Sequence, residues 1–336
     1  MNDAAGVGVR QMTNGEPTMI GAMFDAAGLR VMRAIADEGS FTAAAASLGY
    51  TQPAVSQMVR RLEQRAGTAL VERIGRTVRL TEAGQLLATR AAEILDRIDE
   101  AEAEVIAIAG LKAGRVRLMA FPSSSATLVP RALAELRRSH PAVTVQFSEA
   151  EPPESLTAVR AGAVDLAVAF AYEGTDAGRG EDDLDGLVVM DVLDDPVMLV
   201  LPADHPLAGQ DEVHLADLSA DRWIAGCPRC RGHLLTLADH AGFSPDVTFE
   251  TEDYVAVLGL VAAGLGVALV PQLILSTVSH PEVVIRPVSP PSRRTVQVVT
   301  TPDLQRVPAV AATLDALCHS ARELGGSPCA HIVARA

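Results

Sequence analysis

The chain has 336 residues, of which 49% are hydrophobic, and it carries a formal net charge of −14 at pH 7. This length and apolar fraction predict two or three domains with real cores, which excludes an intrinsically disordered chain. The longest apolar run, at residues 255–270, is shorter than a membrane span and is interrupted by glycines, so no membrane association is expected.

The negative charge is distributed unevenly along the chain. Residues 1–80 hold nine arginines against seven acidic side chains, a net charge of +2, whereas residues 81–112 carry −4 and the remainder carries −12. Only the N-terminal part is therefore suited to a polyanion, because the acidic remainder would be repelled by phosphate. Lys112 is the only lysine, so phosphate contacts are expected from arginine.

Residues 39–62 predict two short helices joined by a tight turn. Ser40 is a good N-terminal cap for an alanine-rich helix that ends at Leu48. Thr51 caps a second helix, whose apolar side chains recur at helical spacing and mark its buried side. This pattern is typical of a helix-turn-helix, in which the N-terminal part of the second helix enters the major groove.

The polar side of the second helix is predicted to contact DNA. Gln52 and Gln57 can hydrogen-bond to adenine edges, and Ser56 to a base or a phosphate. A basic strand pair follows at residues 70–80, with a turn near Gly75, and its arginines are suited to phosphate. The predicted DNA-binding residues are Ser40, Thr42, Thr51, Gln52, Pro53, Ser56, Gln57, Arg60, Arg61, Arg73 and Arg76. A solvated polar helix face and ordinary surface arginines are the alternatives.

Residues 24–110 resemble the DNA-binding part of LysR-type transcriptional regulators. The family pattern is met at Gly39 to Ala45, Thr51 to Ser56, Leu62-Glu63 and Leu80 to Gly84. Val71 stands where the family has phenylalanine and Ala66 where it has leucine, which is expected to thin the packing under the strand pair. The resemblance implies a winged helix-turn-helix and a linker helix that bind double-stranded promoter DNA.

Apolar residues after Thr81 recur at spacings of 4 and 3, as in a coiled coil. A two-chain coil is favoured because it would supply two DNA-reading helices for a two-fold site. A stripe that packs on its own domain is the alternative. The predicted dimerisation residues are Leu87, Ala91, Ile94, Ile98, Ala101, Val105 and Ile108.

From Arg115 onward, apolar strands alternate with helices, which predicts a parallel α/β architecture. The predicted strands cover 116–120, 143–148, 165–170, 187–193, 197–201, 223–225, 247–250, 267–270 and 295–300, and the predicted helices cover 128–139, 153–161, 232–241, 254–263 and 304–324. Two crossings of the chain, near Asp194 and Ser292, predict a hinged cleft. This part resembles the family's effector-binding domain, which is similar to periplasmic binding proteins.

The predicted fold is an α+β multidomain protein with an N-terminal winged helix-turn-helix, a long linker helix and a C-terminal α/β, two-lobed, periplasmic-binding-protein-like effector domain. The predicted boundaries are a disordered extension at 1–22, the DNA-binding domain at 23–81, the linker helix at 82–112, the effector domain at 113–324 and a tail at 325–336. Lobe I covers about 113–193 and 292–324, and lobe II about 194–291.

Candidate effector contacts follow predicted strands, because small-molecule clefts in such sheets lie at the carboxyl ends of strands. The hydroxyl and N–H groups at the helix start near residues 123–127 suit a carboxylate, although simple capping of the helix explains the serines there equally well. For Phe170, core packing is at least as well supported. The predicted effector-binding residues are Ser123, Ser124, Ser125, Thr127, Phe170, Cys227, Pro228 and Tyr254.

Cys227 and Cys230 form a C-x-x-C unit, which suits either a reactive dithiol or half of a zinc site with His233 as a third ligand. No second such unit exists in the sequence, so no metal is predicted, and a redox- or metal-responsive regulator stays the alternative. Cys318 and Cys329 complete a set too sparse for a secreted disulfide framework, and no targeting segment is recognised. A cytoplasmic protein is expected.

The sequence lacks the serine elbow, the phosphate loop and the paired-histidine zinc motif of common enzymes, so no enzymatic activity is predicted. The expected function is that of a LysR-type regulator that binds promoter DNA as a homodimer or homotetramer. It would need no cofactor, would respond to an unknown small-molecule effector and, if it activates, would contact RNA polymerase. A solute-binding module without DNA binding and an enzyme with a helix-turn-helix appendage are the alternatives from other classes.

Overall fold

The structure is a computed structural model of the chain, and it describes residues 24–74, 77–172, 184–326 and 330–332. The extension predicted at 1–22 and the phosphate contact predicted for Arg76 lie outside the described residues. The described residues form two compact units, divided between Glu104 and Val105. Within the described ranges, no helix is both long and apolar enough to cross a membrane.

Three helices build the first unit: α1 (Ala26–Glu38), α2 (Phe41–Ser47) and α3 (Gln52–Ala66). The predicted caps are confirmed, since the Ser40 hydroxyl accepts the N–H of Ala43 and the Thr51 hydroxyl accepts that of Ala54. Helix α1 was not predicted; its N-cap is Asp25, whose carboxylate accepts the backbone N–H of Gly28 in the first turn. The buried core of the three helices includes Leu29, Met32, Ile35, Phe41, Val55, Val59 and Leu62.

The predicted strand pair is present as β1 (Val71–Ile74) and β2 (Thr77–Leu80), which are antiparallel. This strand pair is the wing. Glu63 fixes where it begins, because the Glu63 carboxylate accepts the N–H of Leu70 at 2.9 Å. A Cβ added at Gly84 would overlap the carbonyl oxygen of Leu70, so the backbones approach too closely there for any side chain. Glu63 and Gly84 of the sequence pattern therefore both serve to seat the wing.

The long helix α4 (Glu82–Ala109) divides the predicted dimerisation seam into two parts. Leu87 and Ala91 are buried in the core of the first unit, as the single-domain alternative required. Farther along, Ile94, Val105 and Ile108 are exposed. The prediction of one continuous seam is therefore wrong, because Leu87 and Ala91 pack on their own domain and Ile98 packs against the same core, while Ile94, Val105 and Ile108 face solvent.

The second unit is built on an eight-stranded sheet. Its strands are β3 (Gly114–Ala120), β4 (Val143–Glu149), β5 (Leu166–Tyr172), β6 (Val188–Pro202), β7 (Val213–His214), β10 (Ala268–Pro271), β11 (Val283–Thr300) and β12 (Ala330–Ile332). The order along the main path is β10-β6-β11-β5-β3-β4. Strands β3, β4 and β5 are parallel, but β6 pairs antiparallel with β10, β11 and β12. The sheet is therefore mixed, and the prediction of a parallel architecture is wrong for this half.

Two short parallel strands, β8 (Arg222–Ala225) and β9 (Asp246–Glu250), form a separate sheet. The helices of this unit are α5 (Pro122–Ser125), α6 (Leu128–Ser139), α7 (Glu154–Arg160), α8 (Pro228–His240), α9 (Tyr254–Ala262), α10 (Gln272–Leu275) and α11 (Pro308–Glu323). The buried side chains fall into several clusters on either side of the long strands β6 and β11, which run through both halves of the unit.

Both long strands were underestimated from the sequence. Strand β6 is continuous where a break was predicted near Asp194, and β11 begins well before the predicted start at residue 295. The register of β11 shifts between Pro287 and Ser292, so Pro290 and Pro291 lie at an irregularity where the ladder needs no N–H from them.

Candidate DNA interface and effector cleft

The outer side of α3 presents Pro53, Gln57 and Arg60, all of which are exposed. Their spacing of four and three residues places them on one face of the helix. Among the described residues, no acidic side chain pairs with Arg60 or with the neighbouring Arg61. Gln52 is half-buried at the start of the helix, while Thr42 is exposed at the start of α2. The exposed surface of α3 therefore presents the uncharged amide of Gln57 beside the guanidinium groups of Arg60 and Arg61.

Ser56 is an exception to the predicted face. It is only 8% exposed, because it lies next to the buried stripe of Val55 and Val59 on the inner side of the helix. Its hydroxyl accepts a hydrogen bond of 2.8 Å from Arg73, whose guanidinium also lies 5.1 Å from the centre of the Phe41 ring. Ser56 therefore ties the wing to the helix pair, and the prediction that it contacts a base or a phosphate is wrong.

Arg73 is nevertheless exposed, and its guanidinium carries further N–H groups beyond the one given to Ser56. Elsewhere on the wing, Arg79 is engaged by Glu72 at 2.7 Å. The caps Ser40 and Thr51 use their hydroxyl oxygens as acceptors, which leaves each hydroxyl proton able to point outward.

In the second unit, a cleft of about 410 Å³ opens between the loop after β4 and the start of α8. It is lined by Glu151, Pro152, Pro153, Glu154, Cys227, Pro228, Arg229 and Glu252. Two of the predicted effector contacts, Cys227 and Pro228, are therefore at its wall. A neighbouring cavity of about 330 Å³ includes the predicted Tyr254 and shares Glu252 with the first.

A buried charge network accompanies the cleft. The guanidinium of Arg294 has no exposed surface; it contacts Asp195 at 2.9 Å and donates to the Ser123 hydroxyl at 2.7 Å. The rings of Phe121 and Phe170 lie 4.9 and 4.5 Å from its carbon centre. Burial alone would lower the pKa of Arg294, but Asp195 and its other neighbours hold it above the ordinary value. Its Nη1 has no hydrogen-bond partner among the described residues.

The other predicted hydroxyl groups are directed elsewhere. Those of Ser124, Ser125 and Thr127 donate to backbone carbonyls within the short helix α5 and the turn after it, and Ser124 and Thr127 are buried. Ser123 alone of this set is turned towards Arg294. Phe170 packs edge-on against Phe121 at 4.8 Å and lies in the core, as its alternative interpretation required. Of the hydroxyl groups that were predicted to bind a carboxylate, only that of Ser123 is not bound to a backbone carbonyl.

Two acidic residues of this site were missed from the sequence. Burial, reinforced by the charge of Cys230, raises the pKa of Glu151 to about 8. One of its carboxyl oxygens is buried without a hydrogen-bond partner among the described residues. Asp195 and Arg294 lie in β6 and β11, each beside an exposed residue of the same charge, Asp194 and Arg293. Because neighbouring side chains of a strand point to opposite faces, one charge of each pair must face inward, and that is the signal that could have identified them.

The two cysteine sulfurs at the start of α8 lie 2.6 Å apart. His233, the third zinc ligand considered, is engaged elsewhere: its ring stacks on Tyr172 at 3.8 Å and its Nε2 lies 2.7 Å from the Ser292 hydroxyl. Burial lowers the pKa of His233 to about 4, so the ring is neutral. Within the described parts of the chain, no group of three His, Cys, Asp or Glu residues could hold a metal ion.

Comparison with known proteins gives matches over most of the chain. Residues 27–85 match the bacterial regulatory helix-turn-helix proteins of the lysR family, and residues 109–322 match the LysR substrate binding domain. An uncharacterised HTH-type transcriptional regulator of Escherichia coli K12, YnfL, is 31% identical over 249 residues, which span 72% of this chain and 80% of its own.

Solved structures share the fold. A full-length OxyR variant from Pseudomonas aeruginosa is 22% identical, with a TM-score of 0.71, and the match covers 89% of this chain and all of that one (100%). The LysR family regulator CbnR in complex with its target DNA is also 22% identical, with a TM-score of 0.56 and coverage of 89% and 100%.

Proposed function

The chain belongs to the LysR family of DNA-binding transcriptional regulators, and from this premise we propose that the exposed face of α3 reads promoter DNA while a small effector binds in the cleft beside Cys227 and Pro228. The observation that carries the first half is the stripe Pro53, Gln57 and Arg60. It starts at the capped N-terminus of the second helix of a helix-turn-helix, the part that enters the major groove in such domains.

Each side chain of this surface has a role that its chemistry supports. The Gln57 amide can donate to and accept from adenine in the major groove, which gives sequence preference. Arg60, Arg61 and Arg73 would contact phosphate, which sets position without reading sequence. The exposed apolar stripe of α4 would join two copies, so that two α3 helices meet a two-fold site.

An effector can act only by binding one arrangement of the protein better than another. The cleft is suited to this because its walls come from loops attached to different sheets, after β4 of the eight-stranded sheet and after β8 of the two-stranded sheet. Closure on a ligand would move these walls relative to each other and change the spacing of the DNA-reading domains. RNA polymerase is the proposed further partner if the regulator activates.

The test of the DNA surface compares two glutamines of α3 that are both exposed and lie on the same helix face, Gln57 and Gln64. The probe is a promoter fragment captured from genomic DNA by the wild-type protein. Gln57→Ala should lower the preference for this fragment over random DNA by about tenfold, a loss typical of one base contact. Gln64→Ala, two turns farther from the groove, should change it less than twofold. Equal effects would place the interface elsewhere.

The cleft is tested by ligand-induced thermal stabilisation. A metabolite that raises the melting temperature of the wild-type protein should fail to do so in Glu252→Trp, because Glu252 lines both cavities and the indole would fill them. Glu212→Trp, at an exposed position that lines neither of these cavities, is the matched control and should respond as the wild type does. Retained stabilisation in Glu252→Trp would rule out this cleft.

A further inference from the structure

Acidic side chains border the two neighbouring cavities of the second unit, which share Glu252 as a lining residue. Their volumes, about 410 and 330 Å³, lie in the range of sites for small organic ligands. Arg229 is the one basic side chain among the described residues that line them, and it donates to the Phe170 carbonyl at 3.0 Å. The acidic side chains that line them are Glu149, Glu151, Glu154, Glu252 and Asp253. The negative potential of such a cleft favours a cationic ligand.

The protein supplies little to balance this charge. Asp253 uses its carboxylate to accept the N–H of Val255 at the start of α9, but among the described residues no basic side chain forms an ion pair with the four glutamates. One carboxyl oxygen of Glu151 is buried and has no hydrogen-bond partner in the described part of the chain. An oxygen left without a donor costs free energy, and a ligand that carries N–H groups and positive charge would satisfy it.

The spacing of the acidic groups distinguishes an organic cation from a metal ion. A metal ion requires several ligand atoms that converge on one point, each about 2.0–2.6 Å from the metal. In the ranges that the structure describes, no three His, Cys, Asp or Glu side chains are close enough together to do this. The carboxyl groups are instead spread over two cavities, which suits a ligand whose positive charges are separated by a carbon chain.

The apolar part of the lining is suited to methylene groups, because these lose contact with water when they lie against prolines and aliphatic side chains. It consists of Pro152, Pro153 and Pro228 in the cavity beside Cys227, and of Pro122, Ala126, Val255, Ile274 and Val278 in the cavity beside Tyr254. A carboxylate on the ligand would be repelled by the glutamates. We propose that this cleft binds an aliphatic diamine or polyamine, whose ammonium groups contact Glu151 and Glu252 and whose carbon chain lies along these walls. This ligand class rests on the proposed function of the cleft as the effector site.

The first test titrates the full-length protein with cadaverine and with spermidine in a calorimeter. At least one of the two amines should bind, and Glu252→Gln, which removes the charge shared by both cavities, should weaken that binding by about tenfold. Glu212→Gln, at an exposed position that lines neither of these cavities, should bind the amine as the wild type does. Absence of binding by both amines, or equal affinity of the two variants, would overturn the proposal.

Two compounds separate the contribution of charge from that of the carbon chain. Lysine is cadaverine with an added carboxylate, and pentanediol has the chain of cadaverine without its charges. Both should bind at least about tenfold more weakly than the tighter of the two amines. Equal affinity for either compound would overturn the proposal. If Glu252→Trp then abolishes the binding of that compound, the cleft stays the effector site and only the ligand class is wrong.

A second readout follows the proton of Glu151. Burial, followed by the charges of Cys230 and Glu252, raises the pKa of Glu151 to about 8, so its carboxyl group is protonated at pH 7. The charge of Arg294 and a hydrogen bond with Cys227 oppose this rise. An ammonium group beside Glu151 favours the ionised carboxylate, so the binding of an amine at pH 7 should release protons.

Calorimetry in two buffers with different heats of ionisation measures this release. The wild type should release protons when the amine binds, whereas Glu151→Gln, which has no proton to lose at this position, should release none. Proton uptake by the wild type, or the same proton exchange in both proteins, would overturn the proposal. Because none of these measurements involves DNA, their failure would leave the DNA-binding function standing.

Discussion

Among the described residues, the ion pairs of the first unit are exposed, whereas the second unit has a buried ion pair in addition to exposed ones. In the first, arginines such as Arg60 and Arg61 lie in solvent, and an ion pair such as Arg33 with Asp96 is largely exposed. In the second, Arg294 and Asp195 are paired without contact with water. Binding a polyanion needs accessible charge, whereas sensing a small molecule is served by a desolvated charge whose balance a ligand can alter. The comparison predicts that the same mutation will have very different consequences in the two units.

Replacement of the buried arginine should have the largest effect. Arg294→Met leaves Asp195 charged and buried without its partner, and the free energy of unfolding should fall by about 3–5 kcal/mol in denaturant titrations. Arg33→Met removes an exposed pair and should cost less than about 1 kcal/mol. The double variant Arg294→Met with Asp195→Leu should recover much of the loss. A similar loss of unfolding free energy in Arg294→Met and Arg33→Met would show that burial does not decide how much an ion pair contributes to stability.

Crowding of backbones should produce the next largest effect, this time in the first unit. Gly84→Ala places a methyl group against the Leu70 carbonyl oxygen and should lower the free energy of unfolding by about 3 kcal/mol, because neither backbone can retreat. Gly209→Ala, at a position in the second unit with no atom near the added carbon, should change it by less than about 0.5 kcal/mol. Denaturant titration of both variants would decide, and a tolerated Gly84→Ala would mean that the wing can shift.

The smallest of these effects concerns pH. The pKa of Glu151 is raised by burial to about 8, so the folded protein holds a proton that the unfolded chain releases near its ordinary value, and stability is lost as pH rises through this window. Glu151→Gln should remove that loss and raise the free energy of unfolding at pH 7 by about 2 kcal/mol, with little effect at pH 4. The exposed Glu154→Gln is the control. Identical pH profiles for wild type and Glu151→Gln would contradict the burial of this carboxyl.

The two units also differ in how much of each could be predicted from the sequence. The caps at Ser40 and Thr51, the turn between them and the strand pair are set by interactions within a few residues, so local pattern was enough. The error at Ser56 arose because its hydrogen-bond partner, Arg73, lies 17 residues away on the wing, beyond the reach of a local pattern.

The charge network of the second unit could not be predicted in this way. Arg294 meets Asp195 across 99 residues and Ser123 across 171, and only the folded sheet brings them together. The serines of residues 123–125 looked alike in sequence, yet the geometry of one short helical turn directs a single hydroxyl to Arg294. Of the loops that line the cleft, the one after β8 was predicted from the order of the strands, whereas the one after β4 was missed.

The assignment of DNA contact to the first unit is tested most directly by amide hydrogen exchange of the full-length protein with and without its promoter fragment. Exchange should slow at the start of α3, residues 51–60, and along the wing, while the start of α8, residues 228–233, stays unchanged. Protection confined to the second unit, with α3 exchanging as in the free protein, would contradict the account.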